Sequence, residues 1–441
     1  MTVPIDTTDV VFQGLNNFRA TLRFYTLNGH KSVWFNNNQP TSCADSLLSF
    51  LRNVRYYGLL RANYHYEAIE SMIPVQEHAL RCEILLTDAF LTIAKDLKYG
   101  RRLYRNSVHI DSVCIQALQR TLEHVSIKKN LHDLEPAFTG YQGLKTALQI
   151  AIDTSTAEAR QLLLAGVTHD SIATQKEIQR IEINLERWRR ENSEYPNRYI
   201  FINIVAFMLQ VYDQGKVTFD SRVIVGTPDK QTPALSSTIE CITIYPYWHV
   251  PRKIVIEEYL SVIQKDTTFL SRNNFEVLDR SGRILRRDSI DWMQFNANYF
   301  PVSLRQREGE ENSLGVIKFT FDNPYAVYLH DTNAKRLFRN NIRAYSHGCI
   351  RLERAEDLAH YLVTGNAKEK SKMITRYLQQ KKQHIVSLED PMPLYIRYFT
   401  CEYTNHRFMM YPDVYRKDNA IAHLLYNFTA SATVDAKNID P

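Results

Sequence analysis

Apolar residues recur at helical spacing through roughly the first 196 positions and then switch to strict alternation. The stretches 43–56 and 84–97 carry the helical period, and Gly58 and Gly100 stand where such helices stop. Over 175–190 the residues Ile178, Ile181, Leu185 and Trp188 form one apolar stripe, with Glu182, Glu186, Arg189 and Arg190 off it. At Tyr195-Pro196 the character changes. Residues 199–204 read as a strand, and Phe207, Leu209 and Val211 alternate with Met208, Gln210 and Tyr212. Asp213-Gln214-Gly215-Lys216 is a turn, and 217–225 returns as a second strand of a hairpin. Further strands are expected at 239–245, 316–321, 326–330 and 394–403. The stretch 252–311 breaks this run: it is polar, with a helix-like piece at 255–263, and reads as an insertion able to cover a site as lids do.

The expected class is α+β. A helical domain spans 1–174, a linking helix 175–196, and a β-rich domain 197–364 with its insertion at 252–311. Residues 365–441 form an extension whose strand returns to one of the two domains. The apolar stripes of the helical domain are core positions and name no ligand.

Composition changes this picture little. With 441 residues, 44% hydrophobic and 23% charged, the chain has material for two to three cored domains. No run nears the roughly 18–20 apolar residues of a membrane span. Met1-Thr2-Val3-Pro4 lacks the basic and apolar regions of a secretory leader, which leaves a cytoplasmic protein or one whose leader was removed. The net charge of +6 suits an anionic partner, but the basic residues are dispersed, which argues against nucleic acid. The six cysteines form no CxxC pair, so zinc-ribbon, thioredoxin and disulfide-scaffold readings fail.

The chemistry concentrates between His330 and Arg351. His330 ends an alternating run, and sixteen positions later Ser346 opens Ser346-His347-Gly348-Cys349-Ile350-Arg351. A nucleophilic thiol needs a base, room for a carbonyl to approach, and donors for the oxyanion. His330 is the candidate base and Cys349 the candidate nucleophile; Gly348 opens backbone angles closed to other residues. The backbone N–H of Cys349, with that of Gly348, is the candidate oxyanion site. His347 either lowers the thiol pKa, orients substrate or holds a structural hydrogen bond. Ser346 terminates the turn, and Arg351 is a planar fork for a carboxylate or a surface charge. A zinc site on His330, His347 and Cys349 is disfavoured, because no fourth ligand is evident.

This segment resembles the signature of the YkuD-type L,D-transpeptidase catalytic domain: a histidine, a spacer, Ser/Thr-His-Gly-Cys, a variable residue, then Asn or Arg. The wider similarity is to the large YcbB-like members, through 181–189 (IEINLERWR), 223–226, Thr232-Pro233, Pro246-Tyr247-Trp248-His249-Val250-Pro251, 312–319 (NSLGVIKF) and Tyr328-Leu329-His330-Asp331-Thr332. A weaker likeness at Trp34, Tyr57-Gly58-Leu59 and Thr87-Asp88-Ala89 points to that family's helical scaffold domain. The resemblance implies a cysteine acyl-transfer enzyme of peptidoglycan, acting in the periplasm or cell envelope and open to acylation by carbapenems. The thiolate attacks after the L-centre of the third stem residue and releases D-alanine. The acyl group then passes to a diaminopimelate side-chain amine, making a 3→3 cross-link. Alternatives on the same fold are an L,D-carboxypeptidase or endopeptidase, and transfer to a protein lysine or a D-amino acid. By the same resemblance Cys349, His330, His347 and Gly348 are catalytic, and the Asp331 carbonyl orients His330. Arg351, Ser346, Asp331, Tyr328 and Trp248 line the substrate site, and 252–311 is the capping subdomain. No metal or cofactor is implied; the partners are stem peptides and wall-synthesis proteins. The chain departs from the family's pattern in three places, one of them the leader, which is missing from Met1-Thr2-Val3-Pro4. The stretch from Leu148 to Leu185 is too short for a peptidoglycan-binding module, and Glu308-Gly309 stands where Pro-Gly is usual.

Overall fold

The computed structural model describes residues 3, 10–101, 108–124, 126–165, 175–191, 194–363, 368–404 and 407–426. The chain divides into two compact units, one of Met1–Ser193 with Phe399–Pro441 and one of Glu194–Tyr398. The domain limits drawn from sequence at 174 and 364, and most of the candidate leader stretch, lie outside the described residues.

The first unit is built of helices. Ser42–Arg52 is capped by the Thr41 side chain and followed by a 3-10 turn that ends at Gly58 with φ 64°. Ala79–Tyr99 is buried along most of its length and ends at Gly100. Its interior carboxylates are satisfied by loop backbone. Glu83 accepts from the N–H groups of Val33 and Trp34, and Asp88 from those of Asn16 and Asn17. Buried charge is tolerated only when hydrogen-bonded in this way. Gln175–Arg190 belongs to this unit, and Glu182, Glu186, Arg189 and Arg190, off its apolar stripe, are buried too. Arg55 clasps Glu182 through two nitrogens at 2.5 and 3.2 Å, Arg190 pairs with Glu186 at 2.9 Å, and Ile183 packs with Ile421 and Leu425. A polar face here does not mean a wet one.

The second unit carries a nine-stranded sheet. Its strands are β1 (Arg198–Asn203), β2 (Met208–Asp213), β3 (Lys216–Gly226), β4 (Leu235–Ile244), β5 (Ile317–Phe321), β6 (Leu329–His330), β7 (Ala344–Ser346), β8 (Ile350–Leu352) and β9 (His384–Arg397). Their order is β7-β3-β8-β6-β5-β4-β9-β1-β2, and β3 also pairs with β2, so the sheet closes on itself. Gln214 and Gly215 both take positive φ, the requirement of a two-residue hairpin turn between β2 and β3.

Two expected strands are shorter than their pattern. Over 326–330 only Leu329–His330 pairs, because Ala326 is left-handed and the Asn323 side chain accepts from the Val327 N–H and donates to its carbonyl. Over 394–403 the run breaks after Arg397. A hairpin strand Cys401–Thr404 begins afresh in the first unit, where Asn184 accepts from the Thr400 N–H. The strand in the C-terminal extension, β9, lies between β4 and β1 in the nine-stranded sheet.

The insertion is less polar than its sequence reads. It folds around an apolar core that includes Val255, Leu260, Ile263, Leu270, Phe275, Val277, Trp292 and Leu304, closed by Trp248 and Leu314 from its flanks. Its strands Phe275–Leu278 and Ser303–Gln306 pair antiparallel.

Candidate active site

The register of three strands assembles the site. Lys318 on β5 is the Cα partner of His330 on β6, and His330 is the partner of Arg351 on β8. Partners across a sheet project to the same face, so the three side chains form one cross-strand row. Tyr328, two residues before His330, shares that face. The β6–β8 pairing sets Cys349 beside Tyr328, where the Ile350 N–H donates to the Tyr328 carbonyl at 3.1 Å. Cys349 and His330 are therefore diagonal neighbours.

The loop carrying Cys349 is fixed from below. Ser346 is buried; its hydroxyl bonds the Cys349 carbonyl at 2.5 Å and accepts from the Gly348 N–H at 3.2 Å. Gly348 has φ 111°, open to glycine and strained for other residues. The Thr232 hydroxyl donates to the Gly348 carbonyl and accepts from the Gly226 N–H, both at 2.9 Å. Gly226 is obligatory there, since a Cβ would lie 2.0 Å from the Lys230 carbonyl oxygen.

His330 is buried, and its Nδ1 lies 2.5 Å from the Asp331 carbonyl oxygen. A carbonyl only accepts, so Nδ1 carries the hydrogen and Nε2 keeps its lone pair. Burial, then the Arg351 and Lys318 charges, push His330 down to about 3, against a pull upward from the Asp331 bond. The ring is neutral at physiological pH. The Asp331 carboxylate accepts from the Val316 N–H at 3.0 Å and pairs with Lys335. It lies against Gly315, which has φ 59° and whose added Cβ would sit 2.3 Å from an Asp331 oxygen. The Asn312-Ser313-Leu314-Gly315 turn is thus built around Asp331.

Burial raises the Cys349 thiol above its ordinary value. Hydrogen bonds from the Tyr328 backbone and phenol, and the nearby Lys318 and Arg351 charges, work the other way. Because these bonds favour the thiolate, Tyr328 is the donor in both. Tyr328 is itself hydrogen-bonded by Trp248, and its ring lies 5.6 Å from that of His330, edge on. Among the described residues no hydrogen bond joins the sulfur to the imidazole directly.

Two groups of this loop have partners. First, His347 Nε2 pairs with Glu258, the structural hydrogen bond among the roles open to it, and Glu258 also accepts from Lys230 at 2.9 Å. Glu258 comes from a π turn, Val255–Tyr259, in the insertion. Burial pushes Glu258 up, but Lys230 and His347 outweigh it and hold the carboxylate below its ordinary range. Second, the Gly348 N–H is engaged by Ser346, which leaves the Cys349 N–H as the loop donor without a described partner. Arg351 is half-buried, and its Nε finds no acceptor. Lys318, Thr232, Gly315 and Glu258 were not singled out as site residues from sequence. Lys318, Thr232 and Gly315 sit inside the quoted family blocks, which was the available signal.

Among the described residues no group of three or more His, Cys, Asp or Glu side chains is arranged to hold a metal ion. All six cysteines are free, with Cys43, Cys82, Cys114 and Cys401 buried.

Comparison with known proteins finds two family models along the chain. Residues 197–372 match the YkuD L,D-transpeptidase catalytic domain, and 19–148 match the scaffold domain. The chain therefore joins a YkuD-family L,D-transpeptidase catalytic domain to a scaffold domain, the YcbB-like architecture. A Haemophilus influenzae protein provisionally named an L,D-transpeptidase is 33% identical over 222 residues, covering 50% of this chain and 45% of that one. The chain thus spans less than half the length of this curated relative. Among solved structures, an L,D-transpeptidase from Mycobacterium smegmatis is 15% identical, covering 46% of this chain and 58% of its own, with a TM-score of 0.22. L,D-transpeptidase 3 from Mycobacterium tuberculosis is 12% identical, covering 46% and 61%, with the same TM-score of 0.22.

Proposed function

We propose that this chain is a peptidoglycan L,D-transpeptidase that forms 3→3 cross-links in the cell envelope through an acyl-enzyme on Cys349. The observation that carries the reading is the tautomer of His330. Its Nδ1–H is committed to the Asp331 carbonyl, which leaves the Nε2 lone pair to act as a base, and Cys349 is the diagonal neighbour of His330 across β6 and β8. A thiol raised above its ordinary value of 9.0 and an imidazole held near 3 do not exchange a proton at rest. The proton moves to Nε2 as sulfur bonds to the carbonyl carbon, after a small closing movement or across one water; such contacts tighten when substrate binds. The Cys349 N–H stabilises the oxyanion, and Nε2 then returns the proton to the departing D-alanine amine. The incoming diaminopimelate amine gives up its proton to the same nitrogen as it attacks the thioester carbonyl; the C–S bond then breaks and the departing Cys349 sulfur takes that proton back. The insertion, tied to the catalytic loop by Glu258 and His347, excludes water so that amine rather than water is the acceptor.

Purified tetrapeptide muropeptides incubated with the protein should give 3→3 dimers, identified by tandem mass spectrometry, and Cys349→Ala should give none. Dimers formed by the alanine variant would remove the proposal. Tripeptide without dimer from the wild type would replace transfer by hydrolysis, and an adduct carrying a D-amino acid or a protein lysine would reassign the acceptor.

A further inference from the structure

The row Lys318–His330–Arg351 sets an imidazole between two cations, and neither cation has a carboxylate partner among the described residues. Other partly buried cations of this unit have acceptors: Arg305 pairs with Glu276 at 2.6 Å, Lys230 with Glu258 at 2.9 Å and Lys335 with Asp331, while Arg343 donates to the Val223, Asn340 and Phe207 carbonyls. Lys318 has only the face of the Tyr328 ring, 4.2 Å from its Nζ, and Arg351 has a buried Nε with no acceptor. Desolvation lowers both groups from their ordinary values. Two half-buried positive charges on one sheet face, about 10 Å apart at the Cα atoms by strand spacing, call for an anion between them. The Cys349 thiolate cannot serve throughout, because the sulfur is neutral both as thiol and as thioester.

We propose that Lys318 and Arg351 form a carboxylate-binding pair astride His330, so that the donor peptide must carry a free carboxylate next to the bond Cys349 attacks. The claim about the donor rests on the transpeptidase reading; the anion pair itself does not. The bound carboxylate also offsets the two charges that oppose protonation of His330, so correct substrate strengthens its own base. The groups facing the imidazole are Lys318 from β5, Arg351 and Cys349 from β8 and its approach, and Tyr328 and the Asp331 carbonyl from β6. None supplies a carboxylate.

The first test needs no peptidoglycan. Full-length protein is alkylated with iodoacetate or with neutral iodoacetamide, and modification of Cys349 is followed by mass spectrometry on the tryptic peptide 344–351. The iodoacetate-to-iodoacetamide rate ratio should exceed that of free cysteine by about tenfold or more, since charge-assisted recognition of a carboxylate favours only the anion. Lys318→Met should lower the ratio toward the free-thiol value, and Lys318→Arg should retain it; circular dichroism checks that each variant folds. A wild-type ratio equal to that of free cysteine overturns the pair, as does a folded Lys318→Met with an unchanged ratio. The second test compares the tetrapeptide donor with its C-terminal amide and with its diaminopimelate amide. One amide should lose kcat/KM in the wild type and not in Lys318→Met, which identifies the carboxylate. Equal turnover of all three overturns the donor requirement. An elevated alkylation ratio with no turnover of any donor supports the anion pair and rejects the transpeptidase reading instead.

Discussion

Thr232 tests how the nucleophile loop is held. Its hydroxyl joins the Gly226 N–H at the end of β3 to the Gly348 carbonyl, each at 2.9 Å, and the residue is fully buried. Thr232→Val keeps shape and volume but removes the donor to one backbone group and the acceptor of another. Net loss of a hydrogen bond costs about 0.5–1.5 kcal/mol, and stranding a buried polar group about 1–3. Two such groups give an expected loss of about 2–4 kcal/mol, or roughly 5–15 °C in the melting temperature of a unit this size. Thr232→Ser keeps the hydroxyl and loses one methyl group, for about 1 kcal/mol. Urea unfolding followed by tyrosine and tryptophan fluorescence measures both. Cys349 alkylation should also slow in the valine variant, because Gly348 loses the contact that holds its φ of 111°. Equal midpoints for the valine and serine variants would refute the assignment of Thr232 as the clasp.

Four further outcomes follow from the site. Tyr328→Phe deletes a donor to the sulfur, so the pH midpoint of Cys349 alkylation should rise by about one to two units; an unchanged midpoint excludes the phenol as a partner. His330 is held near 3 in the fold against an ordinary value of 6.5, so the unfolded chain binds the extra proton between those values. Its contribution to stability is present above pH 6.5 and is lost as pH falls toward 3, so between pH 7 and 4 the wild type should lose urea resistance faster than His330→Gln. Gly315→Ala combines a left-handed φ of 59° with a Cβ 2.3 Å from the Asp331 carboxylate, for an expected cost of about 2–4 kcal/mol in the same unfolding assay. Glu258→Gln removes partly exposed ion pairs worth under about 1 kcal/mol, so unfolding should barely change while the ratio of hydrolysed to cross-linked product rises. An unaltered product ratio would separate the insertion from water exclusion.

The amino-acid sequence alone carried the change of period near Tyr195-Pro196, most strand positions and the residue types of the reactive segment. These are local properties: alternation, turn chemistry at Gln214-Gly215, and a glycine before a cysteine. It misjudged the strand limits at Ala326, where the Asn323 side chain clasps Val327 four residues on, and at Arg397, after which Thr400 donates to Asn184 from the distant linking helix. It read the insertion as polar, although its scattered aromatics converge on one core. It could not tell that Glu182, Glu186, Arg189 and Arg190, off the stripe of Gln175–Arg190, are buried, because Arg55 lies more than a hundred positions from Glu182. Nor could it choose among the roles of His347, which depended on a glutamate eighty-nine positions earlier. The site is the clearest division of labour. Sequence named His330 and Cys349, but only strand register decided that Lys318 and Arg351 flank the imidazole and that Tyr328 lies beside Cys349. Register is a property of paired strands, and a one-residue slip would send each of these side chains to the opposite face of the sheet.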